Sequence, residues 1–222
     1  MNLGKIGVVV AARTASTRLP GKALLPLGGK PMILFLLERL RALRSADLVV
    51  ATTLLESDDE LAATVERAGI YVFRGNAQDL VQRYCEVAEH FGFDTIVRIT
   101  ADCPFVDVDM VEWCLARAAE SESWDLATTK GQFPVGLDAE IYPATLMRKL
   151  NADAQLSAEE REHLTLHLYR YDYAITRIHP PAEWPAVSQS FTVDTSEDYQ
   201  NAEGIVAYFQ SGDFRLKELL LR

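Results

Sequence analysis

The chain has 222 residues, 49% of them apolar and 24% charged, a composition that excludes a disordered protein and suffices for a large core. Lysine and arginine total 22 against 32 acidic residues, and the resulting charge of −10 argues against a nucleic-acid-binding surface. No run approaches the roughly 20 apolar residues that cross a bilayer, and Cys85, Cys103 and Cys114 form no C-x-x-C pair, which favours a reduced, cytoplasmic setting.

In chain order, residues 6–12 read as a buried strand, and a polar loop follows through Lys22. Gly28-Gly29-Lys30 reads as a turn before a helix opening near Pro31 and running over 32–43. Strands are expected at 48–51, 70–73 and 95–99, with helices at 58–68, 79–91 and 107–122 between and after them. A weaker strand is expected at 125–128. An extended segment with a turn then spans 133–142, and a helix 157–171 precedes a strand at 173–178. A short strand at 191–193 and a helix at 196–209 close the pattern. This alternation predicts one α/β domain over 1–222, a doubly wound, mostly parallel sheet that binds its ligand beyond the carboxyl ends of its strands. The looser region 131–181 is expected to form an excursion that supplies an acceptor wall and a homodimer contact.

The sharpest feature is the first loop, Ala12-Arg13-Thr14-Ala15-Ser16-Thr17-Arg18-Leu19-Pro20-Gly21-Lys22, where three cations and three hydroxyls gather in an acidic chain. Arg13 and Lys22 can neutralise phosphates, while Ser16, Thr17 and the backbone at Ala11 and Ala12 can reach the remaining nucleotide oxygens. A solvated basic loop is the alternative. The loop is neither a Walker motif nor a G-x-G-x-x-G fingerprint, which counts against P-loop ATPases and dinucleotide enzymes.

Asp102 follows the strand ending at Ile99, and Asp194 follows Phe191-Thr192-Val193, so a parallel sheet could bring both carboxylates beside the phosphate loop. Two such oxygen donors, completed by phosphates and water, suit Mg²⁺; helix capping is the plainer role for each. Arg74 could meet a nucleotide phosphate or sit in a surface ion pair. Asp138 and Glu140, two apart, would share a face if the segment is a strand, either binding acceptor hydroxyls or ammonium groups or forming a solvated edge. His163 and His167 do not make H-E-x-x-H, and His167 reads as structural. Trp113, Trp124 and Trp184 are too dispersed for an aromatic nucleic-acid platform.

The loop closely resembles the signature loop of the 3-deoxy-manno-octulosonate and acylneuraminate cytidylyltransferases, nearest their spore-coat-polysaccharide branch. The resemblance continues through Phe73-Arg74-Gly75, Arg98-Ile99-Thr100-Ala101-Asp102-Cys103-Pro104, Gly136-Leu137-Asp138-Ala139-Glu140, Arg161-Glu162-His163 and Val193-Asp194-Thr195, covering most of the chain. It implies a Rossmann-like nucleotide-diphospho-sugar transferase fold and a nucleotidyltransferase that moves a cytidylyl group from CTP to a small sugar acid, amino sugar or other anionic metabolite. Asp102 and Asp194 match the metal positions, Asp138 lies toward the acceptor, and His163 falls in a substrate-side segment. The family commonly has glycine where this chain has Ala101, a departure that bears on the backbone approach to sugar or base. A nucleotide-sugar glycosyltransferase and a non-catalytic nucleotide-binding regulator are the alternatives.

Overall fold

A computed structural model describes residues 1–222. Strand β1 (Ile6–Ala11) carries three consecutive valines with no exposed surface, as a strand covered on both faces requires. A small hairpin, β2 (Pro26–Leu27) and β3 (Lys30–Pro31), turns through Gly28 and Gly29, both at positive φ, and delivers the chain to α1 (Met32–Leu40). The expected turn before a helix near Pro31 is found there.

β1 lies between β4 (Asp47–Thr53) and β6 (Thr95–Thr100), and β5 (Tyr71–Gly75) pairs with β4; all four are parallel. Beyond β6 come β8 (Glu140–Pro143), antiparallel to both neighbours, then β7 (Leu126–Thr128) and the edge strand β9 (Ile175–Arg177). The seven-stranded order is β5-β4-β1-β6-β8-β7-β9. Because the chain moves outward from β1 through β4 to β5 and returns to place β6 on the other side, a crevice opens at the carboxyl ends of β1 and β6.

Alternate side chains feed two cores. Val8, Val10, Val50, Val97 and Ile99 pack under α1, α2 (Asp59–Arg67), α4 (Val108–Glu120), α8 (Ser196–Phe209) and α9 (Leu216–Leu220). Val9, Val49, Ala51 and Ile96 face α3 (Leu80–Phe91), α5 (Ala144–Ala152) and α7 (Leu166–Arg170). The doubly wound, mostly parallel sheet expected from the alternation is the observed architecture.

The departures cluster in the second half. The helix expected over 157–171 is two short helices, α6 (Ala158–Glu162) and α7, because His163 leaves helical geometry at φ −106° and ψ 67°. The break turns residues 162 and 163 outward while Leu164 and Leu168 stay buried. Of the extended segment expected over 133–142 only its end joins the sheet, so Asp138 lies in the turn before β8 and does not share a strand face with Glu140. Phe191-Thr192-Val193 is extended but pairs with no strand. Helices α5 and α9 were not expected from the pattern.

Candidate active site

A cleft of about 400 Å³ occupies the crevice at the ends of β1 and β6. One wall is the first loop. Gly21, in the left-handed region at φ 69°, donates its N–H to the Thr14 carbonyl, closing the loop on itself immediately before Lys22. The loop is moored from outside by Asp58, whose Oδ1 accepts from Thr14 N at 2.8 Å and Thr14 Oγ1 at 2.6 Å, while Oδ2 accepts from Thr53. Burial opposes ionisation of Asp58, but these hydrogen bonds outweigh it and hold its carboxyl below the ordinary 3.8.

Lys22 is the centre of the site. Its Nζ donates to Asp102 Oδ2 and Asp194 Oδ1, each at 2.8 Å, and to the Val193 carbonyl at 3.0 Å. Asp102 is presented by the turn after β6. Asp194 arrives from the opposite end of the chain on a segment that crosses the crevice: Phe191 N donates to Val135 O at 2.7 Å and Val193 N to Asp102 O at 2.8 Å. The Thr195–Asp198 capping box of α8 then fixes the backbone immediately after Asp194. Arg18 reaches the second Asp194 oxygen at 3.1 Å. Burial works against the Lys22 ammonium, yet the two carboxylates prevail and raise its pKa above 10.5. Burial likewise opposes the Asp102 charge, and Lys22 outweighs it, holding the carboxyl below 3.8.

These donors fit a divalent ion. Nowhere do three or more His, Cys, Asp or Glu side chains cluster as a complete protein-made cage. What the chain offers is two hard-oxygen carboxylates converging on one cation, with Asp102 Oδ1 3.6 Å from the Cys103 thiol. A site completed by phosphate oxygens and water needs no more than this. Cys103 itself is no nucleophile, since burial pushes its thiol well above 9.0.

Ala11, Ala12, Arg13, Ser16, Thr17, Lys22, Asp102, His163 and Asp194 all line the cleft. Ser16 Oγ accepts from Leu19 N and so also shapes the loop. Arg13 is half exposed and only loosely held, 3.5 Å from Glu162, a pair too solvated to fix its position. Three expected residues lie elsewhere. Arg74 turns away from the cleft to Asp59 and the carbonyls of Thr53 and Leu55, the surface ion pair left open above. Asp138 accepts from Gly136 N in its own turn. Glu140 is buried and already accepts from Arg98 at 2.6 Å, Thr165 at 3.1 Å and Tyr169 at 2.9 Å. With its oxygens engaged, it is a support within the wall and has no free face for an acceptor.

The residues missed are Arg83 and Arg98, both on the cleft wall, and the loop anchor Asp58. A signal existed for two of them. Arg98 interrupts the apolar run Ile96-Val97-Arg98-Ile99 of a central strand, and Arg83 falls on the buried face of α3 beside Tyr84. His167 is structural, as read, its Nδ1 3.0 Å from Glu160.

The sequence profile described as cytidylyltransferase matches residues 7–218. The spore coat polysaccharide biosynthesis protein SpsF of Bacillus subtilis is 31% identical over 212 residues, 92% of this chain and 87% of that protein. A solved cytidylyltransferase from Leptospira borgpetersenii superposes with a TM-score of 0.90 at 32% identity, covering 98% of this chain and 92% of the other. The CMP:2-keto-3-deoxy-manno-octonic acid synthetase solved with CTP shares the fold, with a TM-score of 0.73 at 20% identity over 92% of this chain and 99% of that one.

Proposed function

The chain belongs to the cytidylyltransferase family, and from that premise we propose that it moves a cytidylyl group from CTP to a small sugar acid, amino sugar or other anionic metabolite, with Mg²⁺ as the required ion. Its standing as a nucleotidyltransferase sets the non-catalytic regulator aside. The observation that carries the reading is the convergence of Lys22, Asp102 and Asp194 beside a loop that adds Arg13 and Arg18.

Asp102 and Asp194 would hold the ion, which supplies charge neutralisation at the phosphate oxygens when bound. Lys22, Arg13 and Arg18 bind the triphosphate and stabilise the charge that builds on the departing pyrophosphate. The acceptor oxygen attacks the α-phosphorus in line, the bond from that phosphorus to the bridging oxygen breaks, and pyrophosphate leaves with the electron pair. The hydroxyl proton passes to water. The loop and the strand ends contribute positioning, which is most of what phosphoryl chemistry demands of a protein.

We also propose a homodimer, with the edge strand β9 and the exposed Val135 and Tyr171 of the 131–181 region at the contact. The three free, buried cysteines suit a cytoplasmic enzyme. No helix is long and apolar enough to cross a membrane.

The test is an acceptor panel against each nucleoside triphosphate, read by product mass and pyrophosphate release, with chelator and with Mg²⁺ restored. CTP-dependent pyrophosphate formation that stops on chelation is the expected result. In a parallel arm that supplies a nucleotide sugar in place of the triphosphate, acceptor-dependent release of its nucleoside diphosphate would instead mark glycosyl transfer, and chelator-resistant turnover would remove the ion. Light scattering decides the dimer, and a monomer at all working concentrations rejects it.

A further inference from the structure

The cleft has a second charged region, away from the Lys22 cluster. Five cations line the cleft, Arg13, Arg18, Lys22, Arg83 and Arg98, against the carboxylates Asp102, Glu162 and Asp194. Arg13 pairs with Glu162, Arg18 with Asp194, and Lys22 with both Asp102 and Asp194. Arg98 pairs through Nη1 alone with Glu140 behind it, and its Nε is buried without a partner. Arg83 has no ion pair and no side-chain hydrogen bond at all, although the residue is only 3% exposed and its Nε is also buried.

Such a guanidinium is costly to bury, and native structures seldom leave one unanswered. Burial lowers the pKa of Arg83, and the charge of Arg13 adds to that strain. The local structure nonetheless holds it in place. Gly75, at the end of β5, leaves the room its stem uses: a Cβ there would stand 2.8 Å from Arg83 Cγ. Arg98 is held as deliberately, since Thr165 and Tyr169 orient Glu140 and Glu140 orients the guanidinium. Arg83 comes from α3 and Arg98 from β6, and both line the same cleft.

We infer that Arg83 and Arg98 form an anion subsite for the acidic group, carboxylate or phosphate, of the acceptor, with Glu140 as a positioning residue behind Arg98. This rests on the cytidylyl-transfer reading and narrows it: acceptors are selected for a negative group that reaches the α3–β6 wall. Two guanidiniums with free N–H donors match carboxylate or phosphate oxygens as a bidentate clamp does. The subsite also removes Glu140 from direct acceptor contact and gives that buried carboxylate its role.

The Nε–Hε signals of these two buried arginines report the subsite directly by ¹⁵N NMR, assigned through Arg83→Lys and Arg98→Lys. CTP is titrated first, then glucuronate, glucose 6-phosphate or neutral glucose into the CTP-saturated protein. The expected result is that one or both anions shift both signals, glucose shifts neither, and the more effective anion identifies carboxylate or phosphate. Arg98→Lys should weaken anion binding about tenfold with CTP affinity changed less than about threefold, because lysine cannot reproduce the fork. Glu140→Gln should weaken it in the same way, with the Arg98 signal broadened and CTP affinity kept. If a lysine variant does not fold, the signals are assigned by through-bond correlation in the wild-type protein, which separates them from the other buried Nε–Hε groups of Arg39 and Arg117, and the wild-type titration then decides. Signals that move with CTP and not with either anion would overturn the inference by assigning the wall to the nucleotide, and so would signals that never move. Absence of CTP binding would sink the cytidylyl reading instead, and the same anions titrated into the free protein would still decide the subsite.

Discussion

Lys22 and Asp102, 80 residues apart in sequence, meet in a 2.8 Å ion pair, and Asp194 closes on the same ammonium at the same distance. One lysine thus holds together the end of β6 and the segment entering α8. Its charge is partly screened, since the two carboxylate side chains are 26% and 27% exposed.

Lys22→Ala should therefore have a structural consequence as well as the catalytic one proposed for it. Two carboxylates would be left facing each other with their shared partner gone. Screening limits the loss, and we expect about 1–2 kcal/mol of stability to disappear in urea unfolding. Pyrophosphate release should fall by about 10²-fold or more, as removal of one transition-state cation commonly costs. Unchanged turnover in the folded variant would remove Lys22 from the chemistry.

The same pair predicts a pH signature. Asp102 titrates below 3.8 in the folded chain, so its contribution is present above that value and is lost as pH falls through the folded pKa. Lys22 titrates above 10.5, so its contribution is whole below 10.5 and fades as pH rises through the folded pKa. The stability difference between wild type and Lys22→Met should be flat between about pH 5 and about pH 9, then shrink toward either extreme. A difference that changes steadily across neutrality would show that other groups control the pair.

The parallel half of the sheet was legible because its strands are apolar runs and its helices are long, with caps readable at Asp79, Asp107 and Thr195. The first loop and Asp102 were legible because they sit where strands end, and Asp194 because it follows an apolar run that reads as a strand. What failed had no local signal. Residues 157–171 keep helical periodicity through Leu164 and Leu168 and contain neither glycine nor proline, so the break at His163 is a tertiary effect. Phe191-Thr192-Val193 looks like a strand, yet its hydrogen bonds go to the turns at Val135 and Asp102. Glu140 was misread because the sequence does not show that Arg98, Thr165 and Tyr169 converge on it.

Asp102→Asn and Asp194→Asn keep side-chain size but remove the charge that pairs with Lys22 and that the proposed divalent ion would need. Each should lower turnover severely, and extra Mg²⁺ should recover only part of it. If the two aspartates share one ion site as proposed, either change damages it, and the double variant should lose less than the sum of the two single free-energy losses. Full additivity would mean that the aspartates act separately. Circular dichroism must show folded protein for the comparison to hold.

Gly136 offers a test of how Asp194 is placed. Its φ is +88°, and a Cβ there would lie 2.3 Å from Thr192 N and 2.5 Å from Phe191 C, both backbone atoms that cannot swing aside. The segment it would push is the one that donates from Val193 to Asp102 O and carries Asp194 to Lys22. Gly136→Ala should destabilise by about 2–4 kcal/mol, combining left-handed strain with a backbone clash. Turnover should fall further than the unfolded fraction explains, because Asp194 is displaced in the molecules that remain folded. Gly131→Ala is the matched control: its φ is +77° but a Cβ meets nothing within 4 Å. It should cost only the conformational strain, about 1–2 kcal/mol, with activity per folded molecule unchanged. Equal behaviour of the two variants in urea unfolding and CTP turnover would refute the claim that close packing at Gly136 sets the position of Asp194.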